Sequence, residues 1–188
     1  MGKKLAVVFP GIGYHSDKPL LYYSKKLVKE YGFEVIEVAY DFSFKAKEIK
    51  GDKDKMKDAF EIAVKQAKEQ LSTIEFSDYE QILFIGKSIG TTVAAYYDKT
   101  YEIGAKHIVL TPVPQTFEFL GTGDCIVFNG SEDPWCETSL VQDKCHALGV
   151  ELHVVEHANH SLETKSVTTD VQNMKLILDN IERYVSEL

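Results

Sequence analysis

Six short apolar runs recur along the chain, at residues 5–9, 35–40, 82–85, 107–110, 125–128 and 152–155. The runs are continuous rather than alternating, and they are rich in Val and Ile. That pattern is typical of strands with both faces buried, as in a parallel sheet. The chain therefore predicts six buried strands.

The longer segments between these runs repeat apolar residues with a helical period, which predicts helices at 19–31, 53–71, 91–97, 136–148 and 167–186. The first helix has Asp17 as its expected cap and Pro19 in its first turn. The second and last helices each repeat apolar residues on one face, which are Met56, Phe60, Ala63, Ala67 and Leu71 in the second and Val167, Val171, Met174, Leu178, Ile181 and Val185 in the last.

The regular alternation of strands and helices predicts an α/β fold, a three-layer α/β/α sandwich around a mostly parallel six-stranded sheet. At 188 residues the chain suits a single domain over 1–188. The one longer irregular stretch, residues 111–123, is too short for a second domain and is expected to form at most a small flap.

Net charge narrows the classes of expected partner, and cysteine content indicates the expected compartment. The net charge of −8 repels phosphate backbones and anionic lipid, so neither a nucleic acid nor a membrane is expected as a partner. The three cysteines match no disulfide framework, and reduced thiols in the cytoplasm are the simplest interpretation. A homodimer stays possible.

The motif Gly86-Lys87-Ser88-Ile89-Gly90 stands between a predicted strand and a predicted helix. This is the context of a nucleophile elbow, in which a serine sits on a tight turn with its hydroxyl lifted clear of the backbone. The alternative is a glycine-rich turn with a serine that only caps the helix.

A base and an orienting acid should follow the serine in the chain. Asp133 lies beyond the fifth strand, with Glu132 as its rival, and His160 lies beyond the sixth, with His157 as its rival. Ser88, Asp133 and His160 would then meet at the carboxyl edge of the sheet. Asp133 could instead only cap a helix.

Two other candidates for this region carry less weight. Asp124 begins its strand and would lie at the opposite edge of the sheet. His153, His157 and His160 could be metal ligands, but no Cys or carboxylate completes a zinc pattern, so no metal is expected.

The glycine-rich loop at residues 10–15 can turn backbone N–H groups toward Ser88. We assign one oxyanion donor to the N–H of Lys87, taken as the amide that follows the nucleophile, and the other to Ile12 or Gly13. A dinucleotide fingerprint is the alternative, but Ser16 stands where its third glycine belongs. No cofactor is therefore expected.

Four motifs in order resemble the α/β-hydrolase family: residues 10–13, 86–90, 130–133 and 158–163. The chain looks like its small, cap-less branch, near dienelactone-hydrolase-like and carboxylesterase-like proteins. The resemblance implies Ser88 as nucleophile, His160 as base and Asp133 as acid, with the first strand between the second and third. The chain departs from the family in lacking a His-Gly-Gly-Gly motif, and from dienelactone hydrolases in having serine where they carry cysteine.

The expected function is therefore a serine hydrolase that cleaves a small carboxylic ester or thioester through an acyl-enzyme. With almost no cap, small and soluble substrates are expected. A non-catalytic binding or regulatory protein on the same scaffold is the main alternative, and a dinucleotide-binding enzyme is the third.

Overall fold

The computed structural model describes residues 2–123 and 125–188. Within them the strands are β1 Lys4–Phe9, β2 Phe33–Glu37, β3 Gln81–Lys87, β4 Lys106–Leu110, β5 Cys125–Gly130 and β6 Glu151–Val155. The helices are α1 Pro19–Glu30, α2 Ala46–Ile49, α3 Lys53–Leu71, α4 Ile89–Tyr101, α5 Thr138–Leu148 and α6 Val167–Ser186. Two 3₁₀ turns occupy Phe76–Asp78 and Pro114–Glu118.

The six strands form one sheet in the order β2-β1-β3-β4-β5-β6, and every neighbouring pair is parallel. The first strand lies between the second and third, as the resemblance implied. Because the chain runs from β1 outward to β2 and then returns to β3, the strand order reverses between β1 and β3. Ligands of open α/β sheets bind outside the carboxyl ends of strands at such a switch point.

Alternate residues of the strands face two different helical layers. Ala6, Val8 and Ile85 belong to the core beneath α1 and α6, whereas Leu5, Val7 and Phe84 belong to the core beneath α3 and α4. A third apolar cluster joins β4 and β5 to α5 on the same side as α4. The predicted α/β/α sandwich is therefore confirmed, and its sheet is parallel throughout.

The second strand is displaced from its predicted position, since it ends at Glu37 and not at Tyr40. The N–H of Val38 still donates to the carbonyl of Val8 in β1 at 2.9 Å, but the backbone of Ala39 and Asp41 bonds to side chains of α3. Gln70 binds both the N–H and the carbonyl of Ala39, at 2.9 and 2.7 Å. Gln66 binds Asp41 in the same way, at 2.8 and 2.9 Å.

Two expectations for the helices were wrong in detail. Lys18 and not Asp17 precedes α1, without a side-chain cap, and Asp17 instead lies 3.4 Å from the ammonium of Lys25. In α6 the predicted apolar face is buried only in its later turns. Val167 and Val171 are 79% and 66% exposed because the helix begins beyond the edge of its contact with the sheet.

Residues 111–123 pack as a wall against α4. The hydroxyl of Thr116 is buried and lies 2.7 Å from that of Thr91 and 3.0 Å from that of Thr92. The ring of Phe119 stacks on Phe60 of α3, with centroids 6.0 Å apart. The expected flap is thus held in place by buried polar and aromatic contacts.

No helix within residues 2–123 and 125–188 is long and apolar enough to cross a membrane.

We expect Thr116→Val to lower the free energy of unfolding by about 1–3 kcal/mol, because two buried hydroxyls lose their shared partner. Urea denaturation measures this change. Thr100→Val is the matched control, since Thr100 is exposed on the same helix that Thr116 contacts. Equal losses in the two variants would contradict this account of residues 111–123.

Candidate active site

Ser88 lies on a sharp turn between β3 and α4, with a positive φ of 58°. Its N–H donates to the carbonyl of Leu110 at 3.0 Å. Its carbonyl accepts from the N–H of Thr91 at 2.9 Å and from the Thr91 hydroxyl at 2.6 Å. The unusual backbone conformation is therefore held from both the sheet and the helix.

The two glycines of this turn are required by close packing. A Cβ on Gly90 would lie 2.1 Å from the carbonyl oxygen of Phe9 in β1. A Cβ on Gly86 would lie 2.7 Å from the Cα of Thr91. The first turn of α4 can therefore rest directly on the end of β1 only if both positions lack a side chain.

The structure joins Ser88, His160 and Asp133 in one chain of hydrogen bonds. The distance from Ser88 Oγ to His160 Nε2 is 2.8 Å, and that from His160 Nδ1 to Asp133 Oδ2 is 2.7 Å. The Asp133 side chain is fully buried, and its Oδ1 accepts from the N–H of Trp135 at 2.8 Å. Asp133 therefore holds the imidazole through Nδ1, the ring nitrogen that faces away from Ser88.

The loops that hold Asp133 and His160 are locked to each other. The N–H of Glu132 donates to the carbonyl of Ala158 at 2.9 Å. A Cβ on Gly130, the last residue of β5, would lie 2.2 Å from that same oxygen. This close contact brings the loop after β6 against the loop after β5, so that His160 reaches Asp133.

Glu132 and His157, the rival acid and base candidates, take no part in this series of hydrogen bonds. Glu132 and His157 contact each other at 3.1 Å on the surface, where their side chains are 58% and 80% exposed. Asp124 lies outside the described residues. In the part of the chain that the structure describes, no group of three His, Cys, Asp or Glu residues could hold a metal ion.

The electrostatic surroundings keep His160 neutral over a wider pH range than is usual. Its burial has the largest effect and lowers its pKa, and the nearby charges of Lys87 and Lys50 lower the pKa further. The hydrogen bond and negative charge of Asp133 act in the opposite direction. The net pKa lies below the ordinary 6.5, so the imidazole is available as a proton acceptor at neutral pH.

The loop after β1 approaches the serine as expected. A Cβ on Gly11 would lie 3.1 Å from the Cβ of Ser88, and Ile12 lines the same cavity as Ser88. The backbone N–H groups of Gly11 and Tyr14 bond to each other's carbonyls and close the loop. Gly13 has a φ of 73° within this closed turn.

The assignment of an oxyanion donor to Lys87 was wrong, because Lys87 is the last residue of β3 and precedes the serine. The residue after the nucleophile is Ile89, the first residue of α4. An amide at this helical position has no acceptor within its own helix. The Ile89 N–H can therefore serve the role that was assigned to Lys87.

A cavity of about 300 Å³ opens beside Ser88, and most of the side chains that line it are apolar. Its walls come from α2, the first turns of α3, the start of α4 and residues 113–119. Met56 and Phe60, from the predicted apolar face of α3, line this cavity, and Phe60 also packs against the core beneath α3 and α4. The helix α2 was not predicted, because its four residues are too few to show a period.

One end of the cavity is closed by an aromatic cluster of Phe60, Tyr96 and Phe119. Their ring centroids are 5.2 to 6.0 Å apart. Tyr96 is eight residues beyond Ser88 on α4, which corresponds to about 12 Å along the helix axis. The cavity therefore extends from the serine, past Thr92, toward this cluster.

No protein-family model matches the chain, and no curated protein matches it significantly. Solved structures match nearly all of it. Est1E from Butyrivibrio proteoclasticus, in a structure with bound ferulic acid, shares 10% identity over 99% of this chain and 89% of that one, with a TM-score of 0.69. An α/β serine hydrolase homologue from Coxiella burnetii shares 17% identity over 95% and 84%, with a TM-score of 0.65. A serine hydrolase without a lid from Xanthomonas campestris shares 13% over 98% and 84%, with a TM-score of 0.57.

These neighbours are α/β hydrolases, and their structures match this chain over 95% to 99% of its length. The chain therefore has the α/β-hydrolase fold, which confirms the resemblance stated from its motifs.

We expect Gly90→Ala to lower the free energy of unfolding by about 1–3 kcal/mol through overpacking against β1. Alanine is otherwise favoured over glycine in a helix by about 1 kcal/mol, so helix propensity would act in the opposite direction. Gly121→Ala is the control, because a Cβ there has no atom within 4 Å. Urea denaturation gives both values, and a Gly90→Ala variant as stable as the wild type would refute the packing argument.

Proposed function

We propose that the protein is a serine hydrolase that cleaves a carboxylic ester or thioester. One observation carries the proposal: the hydrogen-bonded chain of Ser88, His160 and Asp133 ends at a serine that lines an apolar cavity. A serine that merely capped α4 would bond to the helix, but the Ser88 side chain makes no cap hydrogen bond there.

The reaction begins when His160 Nε2 takes the hydroxyl proton and Ser88 Oγ attacks the carbonyl carbon of the substrate. The carbonyl oxygen becomes an oxyanion, which the backbone N–H groups of Ile89 and Ile12 stabilise. The start of α4 adds the positive end of its dipole. Collapse of this intermediate expels the alcohol or thiol, which receives the proton from His160, and leaves an acyl group on Ser88.

Water then replaces the leaving group. His160 takes a proton from the water as it attacks the acyl carbon, and returns that proton to Ser88 Oγ as the acid departs. In both halves Asp133 orients the imidazole and stabilises its protonated form. The low pKa of His160 leaves the imidazole ready to accept the first proton at neutral pH.

The cavity favours an ester whose acyl or alcohol group is apolar and of moderate size. Its volume of about 300 Å³ is at the lower end of the ~300–1,000 Å³ usual for ligand sites. Est1E, a structural neighbour, binds ferulic acid, an aromatic carboxylic acid, in one of its structures. Very long chains would have to pass the aromatic cluster of Phe60, Tyr96 and Phe119.

We expect a fluorophosphonate probe to label the wild-type protein on Ser88, and Ser88→Ala to abolish both labelling and hydrolysis of p-nitrophenyl acetate. His160→Ala should lower the turnover number by about 10²–10⁴, the usual contribution of a general base. His157→Ala is the matched control, because its side chain is 80% exposed and contacts only the surface loop. Mass spectrometry of the labelled peptide locates the adduct.

A folded wild-type protein that neither reacts with the probe nor hydrolyses any ester of a screen would contradict the proposal. The binding-protein alternative would then apply. Equal losses in His157→Ala and His160→Ala would instead reject His160 as the base.

We expect Phe60→Ala to shift the preferred acyl length upward in a series of p-nitrophenyl acetate, hexanoate and dodecanoate. The wild type should favour the two shorter esters, because the aromatic cluster closes the cavity, and removal of one ring should raise the relative rate for dodecanoate. Ile62→Ala is the control on the same helix, since Ile62 is not part of the cavity wall. An unchanged ranking in Phe60→Ala would show that the acyl chain lies elsewhere.

A further inference from the structure

The loop after β1 is fastened to the protein by the side chain of Tyr14. Among residues 12–15 of this loop, Tyr14 alone is buried, and it belongs to the core beneath α1 and α6. Its backbone also closes the turn, since its N–H donates to the carbonyl of Gly11 at 3.2 Å and its carbonyl accepts from the N–H of Gly11 at 3.1 Å. The position of Ile12, between these two residues, therefore depends on how the Tyr14 ring is held.

A buried ammonium group from β3 contacts that ring. Lys87 is 1% exposed, and in the alternation of β3 it follows Ile85 onto the core face to which Tyr14 belongs. Its Nζ lies over the Tyr14 ring, 4.8 Å from the centroid. Within residues 2–123 and 125–188 no carboxylate lies within ion-pair distance of this ammonium. Attraction between a cation and the negative face of a ring is strongest when the cation is desolvated, as it is here.

The other contacts of Tyr14 do not join the loop to the sheet. Its hydroxyl accepts from the N–H of Leu20 in α1 at 3.2 Å. Lys18 also lies over the ring, with its Nζ 5.4 Å from the centroid, but Lys18 stands in the same connection between β1 and α1. Among these contacts, only that with Lys87 links the ring to the strand that ends at the nucleophile. The backbone approaches there as well, because a Cβ on Gly11 would lie 3.2 Å from the carbonyl oxygen of Lys87.

We propose that Tyr14 and Lys87 are positioning residues, and that the contact between their ring and ammonium ties the loop after β1 to β3 and holds the Ile12 N–H at the oxyanion. This inference rests on the proposed function, in which Ile12 supplies the second donor. Both donors then take their positions from β3, since Ile89 follows Ser88 directly and Ile12 is held through the residue that precedes Ser88.

The turn needs such an anchor because its own sequence gives it little rigidity. A donor stabilises an oxyanion only at about 2.7–3.1 Å, so the loop has to keep a fixed distance from the nucleophile. Gly11 and Gly13 add backbone freedom without side-chain contacts, and a Cβ on Gly13 would have no atom within 4 Å. The rigidity of Ile12 must therefore come from Tyr14, and through its ring from Lys87.

Fluorination of the ring tests the contact with little change in shape. Tyr14→Phe, which keeps the ring, is the reference, and the same phenylalanine then carries one, two or three ring fluorines, each of which weakens the negative face. Rates are measured at about pH 6.5, where Lys87, its pKa lowered to about 7 by burial, is mostly protonated. We expect kcat for p-nitrophenyl acetate to fall with each fluorine, by about tenfold over the series, with KM little changed because the oxyanion forms only after binding.

Removal of each lysine shows which cation is responsible. In Lys87→Met, which removes the charge with little change in volume, the dependence of kcat on fluorine should disappear. Lys18→Met is the matched control, because Lys18 lies over the same ring but not on β3, and the dependence should persist there. A ring that only fills space is not affected by fluorine. A kcat that is the same for all rings, or a dependence that survives Lys87→Met, would therefore overturn the proposal.

Hydrogen exchange of the turn gives a readout that needs no activity. The amides of Gly11 and Tyr14 bond to each other's carbonyls, and they should exchange faster in Lys87→Met than in the wild type. In Lys18→Met they should exchange at the wild-type rate. NMR measures these rates in the folded protein, so the measurement also serves if the fluorinated series does not fold. Equal rates in Lys87→Met and the wild type would overturn the proposal.

The two proposals fail in distinguishable ways. A wild type that is inactive toward the probe and all esters, but whose Gly11 and Tyr14 amides exchange faster in Lys87→Met, would reject the hydrolase and leave the contact between ring and ammonium in place. An active wild type whose kcat ignores ring fluorination would reject only the positioning role of Tyr14 and Lys87.

Discussion

The contact between α4 and the end of β1 is the constraint on which the site depends. Because Gly90 lies against the carbonyl of Phe9, the helix can begin immediately after β3, and the turn between them forces Ser88 to a positive φ. That turn places the serine against the loop after β1 and beneath the first free amide of the helix. The position of Ser88, the free amides at the start of α4 and one wall of the cavity thus follow from a single close approach of two backbones.

The parallel sheet supplies the other half of the site. Ser88 and His160 are 72 residues apart in the chain, yet each follows the carboxyl end of a strand, and all such ends meet at one edge of the sheet. The sheet alone would bring the loops only near each other. The missing side chain at Gly130 lets the loop after β6 close onto that after β5, and this contact brings His160 Nδ1 within hydrogen-bond distance of the Asp133 carboxylate, which accepts.

The features that could be predicted from sequence are those that depend on residues close together in the chain. Buried strands, long helices and the three residues after β3, β5 and β6 belong to this group. The end of β2 could not be predicted, because it depends on Gln66 and Gln70 of a helix that follows much later. The role of Phe60 could not be predicted either. The helical period of α3 marks an apolar face, but it does not tell whether a sheet or a cavity lies opposite that face.

Lys87 shows how a fold can hold a group that weakens it. A buried ammonium without a carboxylate costs free energy, and an apolar residue after Ile85 would continue the core. The fold lowers this cost in two ways, through the face of the Tyr14 ring and through release of the proton near pH 7.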